Sequence, residues 1–232
     1  MQVVVVGRGR LANELMQGLA GDARVELARW PVEGIGPGPA QVVHAGSGRE
    51  LPDVLAWCAR SGSVLVELAT GSAVERSVPP CPVVLAPNTN LLMLQVMRML
   101  AAAGPRFRGH RIRLIESHQA SKTTVAGTAV ALAASLGLDP AAITSVRDPA
   151  LQRVALGIPD EHLARHAFHR ILIEDGACSL TLETRVLGSA PYVDGVRRIL
   201  QGLAGRRLDA RVYPVHELLD AGWLEPADGP SP

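Results

Sequence analysis

Two stretches of the chain gather residue types that can do chemistry. The first is Glu116-Ser117-His118-Gln119-Ala120-Ser121-Lys122-Thr123-Thr124-Val125-Ala126-Gly127-Thr128-Ala129. A polar loop carries a histidine and a lysine four residues apart. An imidazole trades protons near neutral pH, and a desolvated lysine can do the same where arginine cannot. Lys122 is the only lysine in the sequence, although Lys and Arg together number 23. Either the composition disfavours lysine and this one is chance, or arginine cannot replace it here. Gly127-Thr128 then opens a helical pattern. A helix N-terminus with the Thr128 hydroxyl offers donors to a substrate carboxylate. Taken singly, a loop histidine and a solvated lysine are ordinary surface residues. Together, in a nucleotide-binding chain, they indicate proton transfer.

The nucleotide reading comes from the second stretch, Gly7-Arg8-Gly9-Arg10-Leu11-Ala12. It fits G-x-G-x-x-A between a strand pattern and a helix pattern, the context that a dinucleotide loop requires. Gly7 permits the tight turn, Gly9 lets the backbone approach a pyrophosphate, and Ala12 lets the helix pack closely on the strand. Glu26 lies 19 residues after Gly7, near the spacing of a ribose-binding acid, but inside the second strand pattern. Arg29 stands at that strand's expected end, where a cation suits a 2′-phosphate. With Arg8 and Arg10 nearby, NADPH is favoured over NADH.

These residues need a scaffold, and the hydrophobic periodicity supplies one. Strand patterns cover Val3–Val6, Val25–Ala28, Gln41–His44, Val64–Leu68 and Val83–Leu85, with helix patterns over Leu11–Leu19, Leu51–Arg60 and Leu91–Ala103. A Gly/Pro loop fills Pro31–Pro39. Strand–helix alternation of this kind predicts a parallel α/β sheet. After Gly104-Pro105 the pattern changes to α+β. A strand is expected over His110–Glu116, a helix over Gly127–Leu136, and a hairpin over Phe168–Ile173 and Ser179–Leu187 turning at Asp175-Gly176. A helix over Val193–Leu203 and an element over Val212–Leu219 follow, then a frayed Pro/Gly tail. The fold class is therefore α/β, a Rossmann-like parallel-sheet domain plus an α+β domain. The expected division is residues 1–105, with 205–232 returning, and residues 106–204.

Composition removes several classes. The 232 residues are 47% hydrophobic and 19% charged, enough apolar material for a core. A net charge of +1 and 3% aromatic residues argue against nucleic acid as a partner. No run approaches a membrane span, and no basic leader precedes Val3–Val6, so the expectation is a cytoplasmic protein. Cys58, Cys81 and Cys178 are too widely spaced for a zinc pattern and read as small buried hydrophobes. No pattern of carboxylates that would orient His162, His166 and His169 as ligands accompanies them, so no metal site is expected.

The stretch from Glu116 resembles the signature of the 4-hydroxy-tetrahydrodipicolinate reductase (dihydrodipicolinate reductase) family, E-x-H-H-x-x-K-x-D-A-P-S-G-T-A. Glu116, His118, Lys122, Gly127, Thr128 and Ala129 match it. Leu68-Ala69-Thr70-Gly71 echoes the family's G-T-T-G, and Ala86-Pro87-Asn88-Thr89-Asn90 its A-x-N-x-S. The resemblance implies an NAD(P)H-dependent reductase of lysine and diaminopimelate biosynthesis, acting on a cyclic unsaturated dicarboxylate. His118 would be the acid/base and Lys122 the proton donor as hydride arrives. Gly127, Thr128 and Gln119 would face the substrate carboxylate. Gly7, Arg8, Gly9, Arg10, Leu11 and Arg29 would hold the dinucleotide, with Ala69, Thr70, Gly71, Ala86, Pro87 and Asn88 near the nicotinamide. It also implies a homo-oligomer, a tetramer or a dimer. The chain departs from the signature at Gln119, where the second histidine falls, at Ser121, and at Thr124-Val125-Ala126, one residue shorter than D-A-P-S. Those departures keep two alternatives open: a reductase of another imine or keto acid, and a nucleotide-binding paralogue without catalysis.

Overall fold

The computed structural model describes residues 1–32 and 38–225. Part of the expected Pro31–Pro39 loop and the C-terminal Pro/Gly tail lie outside them. Two compact units divide the chain: Met1–Leu91 together with the chain from Tyr192 on, and Leu92–Pro191. The sequence reading set a single boundary near residue 105 and a return from residue 205. The packing below explains the difference.

The first unit is built on a sheet of β1 (Gln2–Val6), β2 (Glu26–Arg29), β3 (Gln41–His44), β4 (Val64–Glu67), β5 (Val83–Leu85) and, late in the chain, β10 (Val212–Pro214). All pairings are parallel, in the order β10-β5-β4-β3-β1-β2. Val3, Val4, Val5 and Val6 are fully buried. A parallel strand covered on both faces must be apolar throughout, which is why this run does not alternate. Helix α2 (Leu51–Ser61) sets Val54 and Cys58 against Val4, Val42 and Leu65. It ends on Gly62 in the left-handed conformation (φ 69°). Helix α1 (Arg10–Leu19) buries Ala12, Leu15 and Leu19, and α6 (Val193–Leu203) packs beside it. The approach is close: a Cβ on Gly18 would lie 2.5 Å from Val193 Cγ1, and one on Gly195 1.5 Å from the Thr89 carbonyl oxygen. Helix α6 therefore belongs with the first sheet. The short helix α7 (Val215–Asp220) follows β10.

The second unit holds β6 (Arg111–His118), β7 (Thr144–Val146), β8 (His166–Asp175) and β9 (Cys178–Leu187), ordered β7-β6-β8-β9. Strands β6 and β7 run parallel, while β8 and β9 form the antiparallel hairpin. Helix α3 (Leu91–Ala103) gives Met93 and Leu100 to the same core as Leu114, Ile171 and Ile173. Its apolar face is thus spent on this second sheet. Helix α4 (Gly127–Leu136) fills the rest of that core with Ala129, Leu132, Ala133 and Leu136. The short helix α5 (Pro149–Val154) is capped by the Asp148 carboxylate, which accepts from the Ala150 N–H at 2.8 Å.

Two expectations need correction. Strand β6 runs two residues past Glu116, so His118 closes a strand rather than opening the loop. Cys58 and Cys81 are buried, but Cys178 is exposed. It opens the edge strand β9, whose first four residues are all exposed.

Candidate functional site

At the carboxyl ends of the first sheet, the turns that the sequence singled out lie side by side. Gly7 follows β1 with φ 114°, a left-handed conformation that glycine adopts without strain. A Cβ there would also meet the Ala45 carbonyl oxygen at 2.6 Å. Gly9 caps α1 with no side-chain hydrogen bond and no acidic residue in the first turn, and the space where its Cβ would project is open. Unsatisfied helix amides beside an open approach fit a pyrophosphate. Arg8 and Arg10 are exposed at this turn and Leu11 is half-buried. Arg29 ends β2, as expected, and bends over the loop. Its Nη1 donates to the Gly7 carbonyl at 2.6 Å and its Nη2 to Asn13 Oδ1 at 2.9 Å. Glu26 opens β2 instead of ending it, and the residue at the strand's end is Arg29.

Two buried residues that the sequence reading passed over shape the turn after β4. His44 Nδ1 lies 2.9 Å from the Glu67 carboxylate, and both side chains are fully buried. Glu67 Oε1 also accepts the Ala69 N–H at 2.8 Å. Ends of β3 and β4 and the Ala69-Thr70-Gly71 turn are thereby fixed together. The Gly71 N–H donates to Glu75 Oε1 at 2.7 Å. After β5, Asn88 Oδ1 accepts the Asn90 N–H at 2.9 Å and shapes Ala86-Pro87-Asn88. The turns after β1, β4 and β5 thus lie at one edge of the unit.

The second unit assembles the other cluster at the carboxyl end of β6, where β6, α4 and β7 form a parallel β-α-β crossover. Glu116 and His118, two apart on one strand, share a face. Glu116 is completely buried, and His118 Nδ1 lies 2.8 Å from its Oε2. Its Oε1 accepts from Ser145 Oγ and Arg147 Nη2, each at 2.5 Å. Burial alone would raise this carboxyl. The donors from His118, Arg147 and Ser145 outweigh it and hold the group at about 2. Glu116 is therefore an anion at any working pH, and His118 must keep its Nδ1 proton to answer it. Nε2 is left as the nitrogen that takes or gives a proton, the arrangement of a carboxylate-oriented histidine base.

The backbone beneath His118 is pinned by Gln152, fully buried, whose Nε2 donates to the His118 carbonyl at 2.8 Å and to Ser117 Oγ at 3.0 Å. His166 Nδ1 donates to the His162 carbonyl at 3.0 Å, so its Nε2 accepts from Ser117 Oγ at 2.9 Å. His169 packs edge-on to His118, with ring centroids 5.9 Å apart. Burial, with the His118 charge beside it, holds His169 down at about 4, a neutral ring at physiological pH. Among the described residues no group of His, Cys, Asp and Glu could hold a metal ion.

Gln119 and Lys122 close a turn, the Lys122 N–H donating to the Gln119 carbonyl at 2.9 Å. Lys122 is half-buried, with Nζ 3.5 Å from Thr124 Oγ1. Gly127 and Thr128 begin α4, whose N-cap, Ala126, contributes no side-chain hydrogen bond. His118, Gln119, Lys122, Gly127 and Thr128 thus share one loop and its flanks, as expected. Sequence reasoning missed Ser145 on β7, Arg147 just past its end, and Gln152 on α5. The Glu-x-His alternation on β6 was a signal that the first of these contacts, Glu116 to His118, existed.

One unit is a six-stranded parallel sheet with a glycine turn after its first strand, and the other a mixed sheet with a carboxylate-histidine pair on β6: a two-unit α/β fold of Rossmann-like type. No family model matches the chain. It is 33% identical over 140 residues to the protein named 4-hydroxy-tetrahydrodipicolinate reductase 1, chloroplastic, of Arabidopsis thaliana, covering 56% of this chain and 40% of that one. It is 35% identical over 112 residues to a probable 4-hydroxy-tetrahydrodipicolinate reductase 1 of Oryza sativa subsp. japonica, covering 44% and 32%. The chain thus aligns with well under two thirds of the curated relatives it matches. Its fold matches the dipicolinate-bound dihydrodipicolinate reductase of Paenisporosarcina sp. TG-14 with a TM-score of 0.67 at 16% identity, covering 92% of this chain and 97% of that one. An engineered D-amino acid dehydrogenase follows at 0.51 and 8% identity. Over part of its length the chain is thus similar in sequence to proteins named 4-hydroxy-tetrahydrodipicolinate reductase, and its fold is similar to that of a dihydrodipicolinate reductase.

Proposed function

We propose that the protein is an NAD(P)H-dependent reductase that delivers hydride to a cyclic imine or unsaturated dicarboxylate, as a 4-hydroxy-tetrahydrodipicolinate reductase does. The observation that carries the reading is the Glu116–His118 pair held beside Lys122 on the β6–α4 loop. The dinucleotide supplies the hydride. Gly7, Gly9 and the first amides of α1 receive its pyrophosphate, with Arg8, Arg10 and Leu11 flanking it. Arg29 faces the 2′-phosphate and favours NADPH over NADH. Ala69, Thr70 and Gly71, with Ala86, Pro87 and Asn88, border the nicotinamide.

On the substrate side, Gly127, Thr128 and Gln119 bind a carboxylate. Hydride addition leaves negative charge on the substrate, and Lys122 delivers the proton that neutralises it. His118, through Nε2, exchanges protons at the same site while Glu116 keeps its Nδ1 protonated. Both steps use groups that reset from solvent. The ligand is a small carboxylic acid, and the protein works in the cytoplasm as a homo-oligomer, a dimer or a tetramer. The exposed edge strand β9, with Leu180 half exposed, supports association through the β8–β9 hairpin.

Gln119 favours a second reading, a reductase of another imine or keto acid, because it stands where the family signature has its second histidine, and Ser121 adds to it at a further position that is basic in the family. A nucleotide-binding paralogue without catalysis is the third. Oxidation of NADPH with freshly generated 4-hydroxy-tetrahydrodipicolinate, beside other cyclic imines and keto acids, separates the three. Turnover with the dicarboxylate supports the first. Turnover only with another acid supports the second. Cofactor binding without any turnover supports the third.

A further inference from the structure

We propose that Arg147 is the positioning residue that sets His118 and Lys122 relative to each other, because one guanidinium holds the anchor of both. Its donors divide between two sets of acceptors. On one side Nη2 donates to Glu116 Oε1 at 2.5 Å, and Glu116 in turn holds His118. On the other side Nε donates to the carbonyl of Lys122 itself at 2.9 Å, and Nη2 to that of Thr124 at 3.3 Å. Nη1 returns to the Val146 carbonyl at 3.1 Å, which fixes the plane of the fork at the end of β7. The loop from Gln119 to Ala126 has few other ties. Among the described residues its turn closes on the Lys122 N–H, and the Lys122 ammonium touches Thr124 Oγ1 at the limit of a hydrogen bond.

Lysine could not take this place. An ammonium is a point charge on a flexible stem, whereas the planar fork satisfies a carboxylate and three carbonyls at fixed angles. The geometry also explains why β7, a strand of only three residues, pairs with β6 beside the site. It delivers Ser145 to Glu116 and ends where Arg147 must begin. The inference rests on the reading of His118 and Lys122 as the proton-handling pair, but the clamp itself can be tested without turnover.

Three full-length proteins are compared: wild type, Arg147→Met and Glu116→Gln. Nitrogen NMR reads the tautomer of His118, and hydrogen exchange reads the amides of residues 121–126. Wild type shows the Nδ1-protonated ring. In Glu116→Gln the side-chain amide turns its N–H toward Nδ1 and its carbonyl toward Arg147. The tautomer reverses, while loop exchange stays within about twofold of wild type. Arg147→Met moves both readouts: the tautomer becomes mixed, and the loop amides exchange roughly tenfold faster or more. Arg147→Lys shifts both in the same sense but less, and serves if the methionine variant does not fold. Movement of only one readout in the Arg147 variants overturns the proposal. So does a loop in Glu116→Gln that loosens as much as in Arg147→Met.

Kinetics add a second arm. Arg147→Met lowers kcat roughly 10- to 100-fold, as a displacement of about 1 Å in a catalytic group does, and leaves the cofactor Kd within about twofold. An unchanged kcat in that variant contradicts the positioning role. A wild type without turnover on any acid would instead count against the proposed function, with the tautomer and exchange results still deciding the clamp.

Discussion

At the scale of single residues, the account assigns separate duties to groups that are close in sequence. Among the described residues the Lys122 amine has no partner beyond a 3.5 Å contact to Thr124, so removing it costs the fold little. Lys122→Ala is expected to lower kcat by roughly 100-fold or more and to leave cofactor affinity nearly intact, measured by NADPH oxidation and by fluorescence titration. Full activity in that variant would remove the proton-donor role. Arg29 has the opposite profile. It contacts the glycine turn through Gly7 and Asn13. Arg29→Ala is expected to weaken NADPH roughly tenfold, the loss of one charge-assisted contact, and NADH much less. Equal weakening of both would reduce Arg29 to a support of the turn. Much of where these residues lie was readable from residue types. Gly7–Ala12 and His118–Lys122 announce themselves because their meaning is local. Ser145, Arg147 and Gln152 did not, because a serine, an arginine and a glutamine take their meaning from whatever the fold sets opposite them.

At the scale of elements, close backbone approach decides what can change. Helix α6 meets the turn before α3 where Gly195 faces the Thr89 carbonyl, and a Cβ would lie 1.5 Å from that oxygen. Gly195→Ala must push the helix away from the sheet. It is expected to destabilise the protein by roughly 3 kcal/mol or more, an overpacking cost at the upper end of the usual range. That exceeds the roughly 1 kcal/mol that alanine would add as a helix former. Denaturant unfolding checks it, and a neutral result would mean that α6 is loosely docked. The element pattern itself was well marked in the sequence. Helices α3, α4 and α6 occupy Leu91–Ala103, Gly127–Leu136 and Val193–Leu203, as their apolar periodicity predicts. What periodicity cannot show is which sheet an amphipathic face will cover. The faces of α3 and α6 are both apolar, yet α3 covers the second sheet and α6 packs with α1. The short elements β7 and α5 escaped notice for a different reason. Three and six residues give too little pattern to read, and both are held by side-chain contacts from β6.

At the scale of the whole molecule, the buried ionisable groups of the second unit predict its response to acid. His169 is held at about 4, below its ordinary 6.5, so the unfolded chain binds its proton first. Its stabilising contribution is present above about 6.5 and is lost as the pH falls toward 4. His166 is lowered as well, chiefly by burial, and acts in the same direction. Glu116, held at about 2 against 4.5, adds a second loss between those values. The protection factors of the β6 and β8 amides, taken relative to intrinsic exchange at each pH, should therefore fall as the pH drops from 7 to 5. His169→Gln should flatten that dependence, and an unchanged dependence would mean that the ring is solvated. Among the described residues no helix is long and apolar enough to cross a membrane.

The central claim is that one chain joins a dinucleotide site to a proton-handling pair for reduction of a cyclic carboxylic acid. It is tested most directly by following NADPH oxidation with 4-hydroxy-tetrahydrodipicolinate, with cofactor binding measured on the same sample and Lys122→Ala run beside the wild type. The account predicts tight cofactor binding in both proteins and turnover in the wild type alone. Failure of the wild type to bind either NADPH or NADH would contradict the reading of Gly7–Ala12 and the account built on it.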